Sequence, residues 1–276
     1  MKTDWIAVEI DRDEVRAWAV DRDGAVNDHA RARDTDLAQL IAPWRGAGRP
    51  LVLVSGETGS PASFVPCKPF ATLPNAQSDA GIDLRLVPAI AQNAPADVMR
   101  GDVVRIAGFM TTNPQFDGVL CMTGPVSRWV HVSAGEIVSF QSFVTGELID
   151  SLVAASVLRH TVGSSGADDV AFQTGFEDGF ERPERLLTRI YSLHAEAERE
   201  GLAPGLARAR LRGLVMGTEL AVAKPYWLGQ QIAVIGQDDN TKRYTEVLRA
   251  QGCPVITADR DTMTMAGFRA ARAQIG

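Results

Sequence analysis

The sequence predicts an α/β fold of two lobes, each built on a mixed sheet. Three observations carry this. An apolar strand, a short polar turn and a returning strand open the chain at residues 5–20. The same theme restarts more than a hundred residues later, at Gly118. Between and after these hairpins, apolar strands alternate with segments of helical period, the pattern of mixed sheets flanked by helices.

Residues 5–9 form an apolar strand and 15–20 alternate into a second, with 10–14 as the turn. Residues 21–24 turn again towards 25–29. Over 36–44, Leu37, Leu40, Ile41 and Trp44 share one helical face. Residues 51–54 are a short, wholly apolar strand ending at Ser55, Gly56, Glu57, Thr58, Gly59 and Ser60. A strand running into a glycine-rich turn is how α/β proteins set a loop at a ligand crevice. A strand is expected at 84–90 and a helix at 103–109. The polar, proline-containing stretch 111–117 is the best candidate boundary, giving lobes of 1–112 and 113–276.

Beyond that boundary, strands are expected at 118–122, 129–133, 136–140, 232–235 and 255–257. Helices are expected at 146–158, 172–180, 183–200, 206–226, 242–251 and 264–274, with Gly252 stopping the fifth. Gly213 and Gly217, four apart with Glu219 close behind, read as close helix packing. The run Gln237-Asp238-Asp239-Asn240 reads as a solvated turn.

The bulk properties exclude several classes. The 276 residues are 45% hydrophobic and 22% charged, an ordinary globular composition. A net charge of -6 without a Lys/Arg cluster argues against nucleic acid or an anionic membrane as partner. There is no signal-peptide pattern and no apolar run of about 18 residues. The 3 cysteines are scattered, which offers neither a disulfide framework nor a zinc site. A cytoplasmic, reduced protein is expected.

Residues 98–148 resemble the 2-dehydro-3-deoxygalactonokinase family. The residues that carry this are Val98-Met99-Arg100-Gly101, Asp117-Gly118, and Thr145-Gly146-Glu147-Leu148, with Phe140 and Trp129. The match runs on in order through Trp5 to Val8, Arg16 with Trp18, Ser55-Gly56, Gly175, Gly179, Gly213, Gly217, Glu219, Gly236, Asp261 and Gly267. The resemblance implies a ribonuclease-H-like fold of actin/hexokinase type, with ATP and Mg2+ in the cleft. It implies transfer of the γ-phosphoryl group to the 6-hydroxyl of 2-dehydro-3-deoxy-galactonate, a small-molecule sugar acid, in galactonate breakdown. A homo-oligomer is left open.

Site residues follow residue by residue. Glu9 stands where the family has an Asp at the end of the first strand, and is expected to hold Mg2+, with Asp11 or Asp13 as further ligands. Glu9, Asp102 and Glu147 are the expected catalytic carboxylates. Ser55, Gly56 and Arg100 are expected on the sugar-acid side, since the guanidinium fork of arginine matches a carboxylate. Arg12, Gly124, Ser127, Arg128 and Gly236 are expected on the nucleotide side. The sequence equally allows Arg100 to cap a helix start and Glu147 to be an ordinary charge in a first helical turn.

Two features run against the family pattern. The first turn, Ile10 to Glu14, has no glycine or hydroxyl and brings carboxylates where an anion should rest. In the second, Pro125 removes a backbone donor. Two functions therefore stand side by side: a working sugar-acid kinase, or a catalytically impaired relative that binds a sugar acid or a protein partner in a regulatory role. An actin-like assembly protein fits less well, because long insertions are lacking.

Overall fold

A computed structural model describes residues 3–275, apart from 13, 34, 35, 47, 57–60, 73, 80 and 164. The chain opens with a meander of β1 (Trp5–Asp11), β2 (Glu14–Val20) and β3 (Val26–Arg33). It continues through α1 (Leu37–Ile41), β4 (Leu51–Ser55), β5 (Ala62–Phe64), β6 (Asn75–Asp79) and β7 (Ile82–Leu86). Then come β8 (Ala89–Asn93), β9 (Ala96–Met99) and α2 (Asp102–Thr112). The first sheet has the order β3-β2-β1-β4-β7-β6, with β1 antiparallel to β2 and parallel to β4.

The second sheet repeats that arrangement. It is built from β10 (Gly118–Met122), β11 (Ser127–Ser133) and β12 (Glu136–Phe143), followed by α3 (Thr145–Ala155), α4 (Asp169–Glu181), α5 (Leu186–Glu200), α6 (Pro204–Val222) and α7 (Lys224–Trp227). The chain then runs through β13 (Ile232–Gly236), α8 (Asp239–Ala250), β14 (Val255–Asp259) and α9 (Arg260–Ala273). The order is β12-β11-β10-β13-β14, with β10 antiparallel to β11 and parallel to β13.

Because successive strand residues point to opposite faces, an all-apolar strand must be covered on both sides. Trp5 and Ala7 of β1 join Leu120 and Met122 of β10 in one core, with α2 and α9 between the sheets. Ile6 and Val8 face the other way, towards α1. Val119 and Cys121 likewise turn from β10 towards α4, α6 and α8. Glycine permits the tightest of these contacts. A Cβ on Gly267 of α9 would collide with the Val104 carbonyl of α2, and one on Gly108 with the Met263 carbonyl. Gly213 and Gly217 press α6 on to α4 in the same way, against the carbonyls of Phe172 and Phe176.

The structure departs from the sequence reading in several places, among them β6, which was not expected, and the 206–226 helix, which divides into α6 and α7. A three-stranded sheet, β5-β8-β9, was not expected. The strand expected at 84–90 divides into β7 and β8 around Pro88, which has no N–H for a ladder. The 183–200 segment opens with a 3-10 turn over 183–185 before α5 begins. The acidic 238–240 run is no solvated turn. Asp238 caps α8, its carboxylate accepting from Thr241 N at 2.9 Å, and Asp239 and Asn240 form the first turn.

Candidate active site

The turns of both hairpins line one cavity of about 290 Å3. From the first come Glu9, Asp11 and Arg12, and from the second Thr123 to Val126 with Arg128. Arg100 to Asp102 enter from the start of α2, with Arg105 one turn on, and Glu147 comes from the first turn of α3. Gly56 sits where β4 passes the first hairpin. Its φ is 98°, and a Cβ there would collide with the Ile10 carbonyl, so only glycine fits. Arg12, at the hairpin tip, holds a left-handed φ of 58° and forms an ion pair with Glu147 across the cavity.

At the wall of the cavity lies a chain of alternating charges. Asp261 accepts from Arg16 at 2.5 Å, and Arg16 reaches Glu9 with its other Nη. Glu9 also binds Arg105, Arg105 donates to Asp102 at 2.5 Å, and Asp102 binds Arg128. Glu9 is 1% exposed and Asp102 4%. Burial pushes the Asp102 carboxyl up, but the guanidiniums of Arg128 and Arg105 outweigh it and hold it below the usual carboxylate range. Asp261 is also held low: burial raises it, and Arg16 more than offsets this.

The structure thus brings together Glu9, Arg12, Gly56, Arg100, Asp102, Gly124, Arg128 and Glu147. Three expected residues lie elsewhere. Ser55 is fully buried, its hydroxyl 3.5 Å from the Gly101 carbonyl. Ser127 is fully buried too, 3.5 Å from the Phe143 carbonyl, because its phase on β11 points inward. Gly236 borders a separate cavity of about 410 Å3 with Asp238, Thr241 and Asp259. A Cβ there would collide with the paired hydroxyls of Thr123 and Thr241, which stand 2.8 Å apart. Glu57, Thr58 and Ser60 lie outside the described residues.

The sequence reading missed Arg105. The signal was present: an arginine inside Val103-Val104-Arg105-Ile106-Ala107 has apolar neighbours on every side and cannot turn to water without a partner. It also assigned Glu219 to packing alone. The Glu219 carboxylate, 2% exposed, accepts from Trp129 Nε1 at 2.8 Å and Tyr244 Oη at 2.6 Å, and from the Thr145 hydroxyl. Burial pushes it up, against those donors. It ties β11, α3 and α8 to α6 and so fixes the frame of the second turn.

A protein-held Mg2+ does not fit these residues. Mg2+ needs near-octahedral oxygen ligation, whereas Glu9 and Asp102 give both of their oxygens to guanidiniums. Among the described residues, no group of three or more His, Cys, Asp or Glu side chains is placed to hold a metal. Asp13, an expected further ligand, lies outside the described residues.

Residues 3–271 match the model of the 2-keto-3-deoxy-galactonokinase family. This chain belongs to that family. It is a family of ATP-dependent sugar-acid kinases. Two relatives are similar along their whole length. A protein of Rhizobium meliloti (strain 1021), described as a probable 2-dehydro-3-deoxygalactonokinase, is 27% identical over 97% of this chain and 96% of its own. The 2-dehydro-3-deoxygalactonokinase of Escherichia coli (strain K12) is 25% identical over 98% and 97%.

Among solved structures, a 2-dehydro-3-deoxygalactonokinase protein from Sinorhizobium meliloti, so described provisionally, superposes with a TM-score of 0.90 at 25% identity, covering 98% of this chain and 96% of that one. Component A of the Acidaminococcus fermentans (R)-2-hydroxyglutaryl-CoA dehydratase gives 0.51 at 9% identity, over 97% and 98%, which speaks for the fold alone. The chain thus has the expected two-lobed α/β fold of actin/hexokinase type, with a mixed sheet in each lobe. Among its described residues, no helix is long and apolar enough to cross a membrane.

Proposed function

We propose that the cavity takes a sugar acid by its carboxylate at Arg100, and that the chain transfers the γ-phosphoryl group of ATP to the 6-hydroxyl of 2-dehydro-3-deoxy-galactonate. One observation supports this above the others. Arg100 lines the cavity, and its Nε is buried without a hydrogen-bond partner. A buried donor without an acceptor costs about 1–3 kcal/mol, which a carboxylate gripped by the guanidinium fork would remove. In this reading Arg12, Gly124 and Arg128, which line the hairpin side of the same cavity, take the phosphate oxygens.

The carboxylates divide by what occupies them. Glu9 and Asp102 spend both oxygens on guanidiniums, whereas Glu147 has one ion-pair partner, Arg12. Among the three expected catalytic carboxylates, Glu147 is therefore the one with an oxygen left to orient the attacking hydroxyl and receive its proton. The hydroxyl oxygen bonds to the γ-phosphorus as the bond to the β–γ bridging oxygen breaks, and ADP leaves.

A second reading is supported by the complete pairing of Glu9 and Asp102: the chain binds the sugar acid without turnover, in a regulatory role. Calorimetric titration with Mg·ATP, alone and with 2-dehydro-3-deoxy-galactonate, followed by an ADP-release assay on the same sample, separates the two. Saturable nucleotide binding with ADP release is expected. Sugar acid bound with no nucleotide binding selects the second reading, and binding of neither ligand overturns both.

A further inference from the structure

Two carboxylates from different elements converge on a single cation in this cavity. Glu9 ends the buried part of β1, Asp102 opens α2, and both bind the Arg105 guanidinium, one at each Nη. A pair of acidic side chains facing one positive centre is what a hard divalent cation requires of a protein. Here that centre is part of the chain. The remaining oxygens are also taken, by Arg16 on Glu9 and Arg128 on Asp102. With Asp261, which also pairs with Arg260, the network sets three carboxylates against four guanidiniums and carries one net positive charge.

A metal entering between Glu9 and Asp102 would therefore find no free oxygen and would meet like charge. Arg105 is 8% exposed, and parting it from its two carboxylates would leave a buried guanidinium without compensation. Around these two carboxylates the polar atoms left over are donors. Besides Arg100, the Nε atoms of Arg105 and Arg128 are buried without partners. Between Glu9 and Asp102 the site therefore has charge to offer an anion and no carboxylate oxygen to offer a cation.

We infer that Arg105 is a resident cation that takes the place of a protein-held divalent metal between Glu9 and Asp102, so that this cavity binds its anionic ligands without a metal of its own. The inference deepens the kinase reading at the same cavity, and rests on it only for which anion is bound. Whatever metal accompanies a nucleotide is held by that nucleotide and not by these two carboxylates. Arg105 acts on the ligands through the charge it fixes at Glu9 and Asp102, and is in that sense a positioning residue.

The test uses Mn2+ alone as probe, with neither ATP nor sugar acid present, so its outcome is independent of turnover. Electron paramagnetic resonance of free Mn2+ would be followed during titration of the full chain and of Arg105→Gln. The wild-type protein should show no saturable Mn2+ site. The variant, with the two carboxylates released, should bind Mn2+ at least about tenfold more tightly, which corresponds to about 1.4 kcal/mol. That gain should vanish in Arg105→Gln combined with Glu9→Gln.

A wild-type Mn2+ site that Glu9→Gln abolishes would overturn the inference. So would a folded Arg105→Gln variant, checked by circular dichroism, that gains nothing. Should Arg105→Gln fail to fold, the wild-type titration and Arg105→Lys decide. Silence in both supports a resident cation, and a Glu9-dependent signal in either refutes it.

Discussion

Replacing Glu9 with Gln removes one negative charge from the middle of the ion-pair chain and leaves the shape almost unchanged. The side chain is 1% exposed, and the side chains of its partners Arg16 and Arg105, taken without their backbone, are 8% and 10% exposed. Deleting one partner of a buried pair costs about 3–5 kcal/mol, because the other charge is left without compensation. Here each guanidinium keeps a second carboxylate, Asp261 for Arg16 and Asp102 for Arg105. The cost should therefore lie at the lower end, about 3 kcal/mol.

For a chain of this size, 1 kcal/mol moves Tm by roughly 2–4 °C, so a fall of about 6–12 °C is expected in calorimetry. Asp261→Asn is the control at the end of the same chain. Its side chain is 44% exposed, and a pair there is worth about 0–1 kcal/mol. Combining Glu9→Gln with Arg105→Met should recover part of the loss, since fewer buried charges then go unpaired. If Glu9→Gln and Asp261→Asn lower Tm equally, the network is screened by solvent and its description as buried is wrong.

Three further outcomes are expected. Gly267→Ala should cost about 1–3 kcal/mol in urea unfolding, through overpacking of α9 on α2. Gly205→Ala, whose Cβ would lie 3.7 Å from Ser165 O, should be neutral or stabilising, and equal losses would remove the steric argument. Arg100→Met should weaken sugar-acid binding in calorimetry by roughly 10–150-fold, the equivalent of about 1.5–3 kcal/mol for a charged hydrogen bond, while leaving Tm nearly unchanged. A large Tm loss would mean instead that Arg100 is structural.

The third outcome concerns pH. Asp102 and Asp261 titrate below the ordinary carboxylate value. Their contribution to stability is present above about pH 4 and is lost as pH falls through the depressed folded values. Asp102→Asn should flatten the decline of stability between about pH 4 and pH 2, and an unchanged slope in acid-side melts would count against the assignment.

Much of the fold was legible because β1, β10 and β13 are apolar on both faces, a pattern that only a covered strand tolerates. The β5-β8-β9 sheet was not legible, since segments as short as Ala62–Phe64 and Ala96–Met99 carry too few residues to show a period. At the site, Arg100 and Glu147 could be found from local motifs.

Ser55 and Ser127 were misplaced because a hydroxyl beside a glycine or proline turn looks like a ligand contact, while the strand phase that turns it inward is set by tertiary packing. Arg105 could have been flagged as needing a partner. That the partner is Glu9, 96 residues earlier, is a fact of the fold and not of the local sequence.

The position of α9 has a consequence for how this protein comes into being. Met263, Met265, Phe268 and Ala271 fill the same core as Trp5, Ala7 and Leu53 of the first sheet. Asp261 closes an ion pair with Arg16, a sequence separation of 245 residues. The first sheet therefore waits, with one face only partly covered by α2, until residues 260–273 have left the ribosome. Such distant contacts slow folding and leave apolar surface open to other chains meanwhile. A sheet made well before α9 is thus among the last parts to be finished, and pulse-labelled hydrogen exchange during refolding should find the amides of β1 protected no sooner than those of α9.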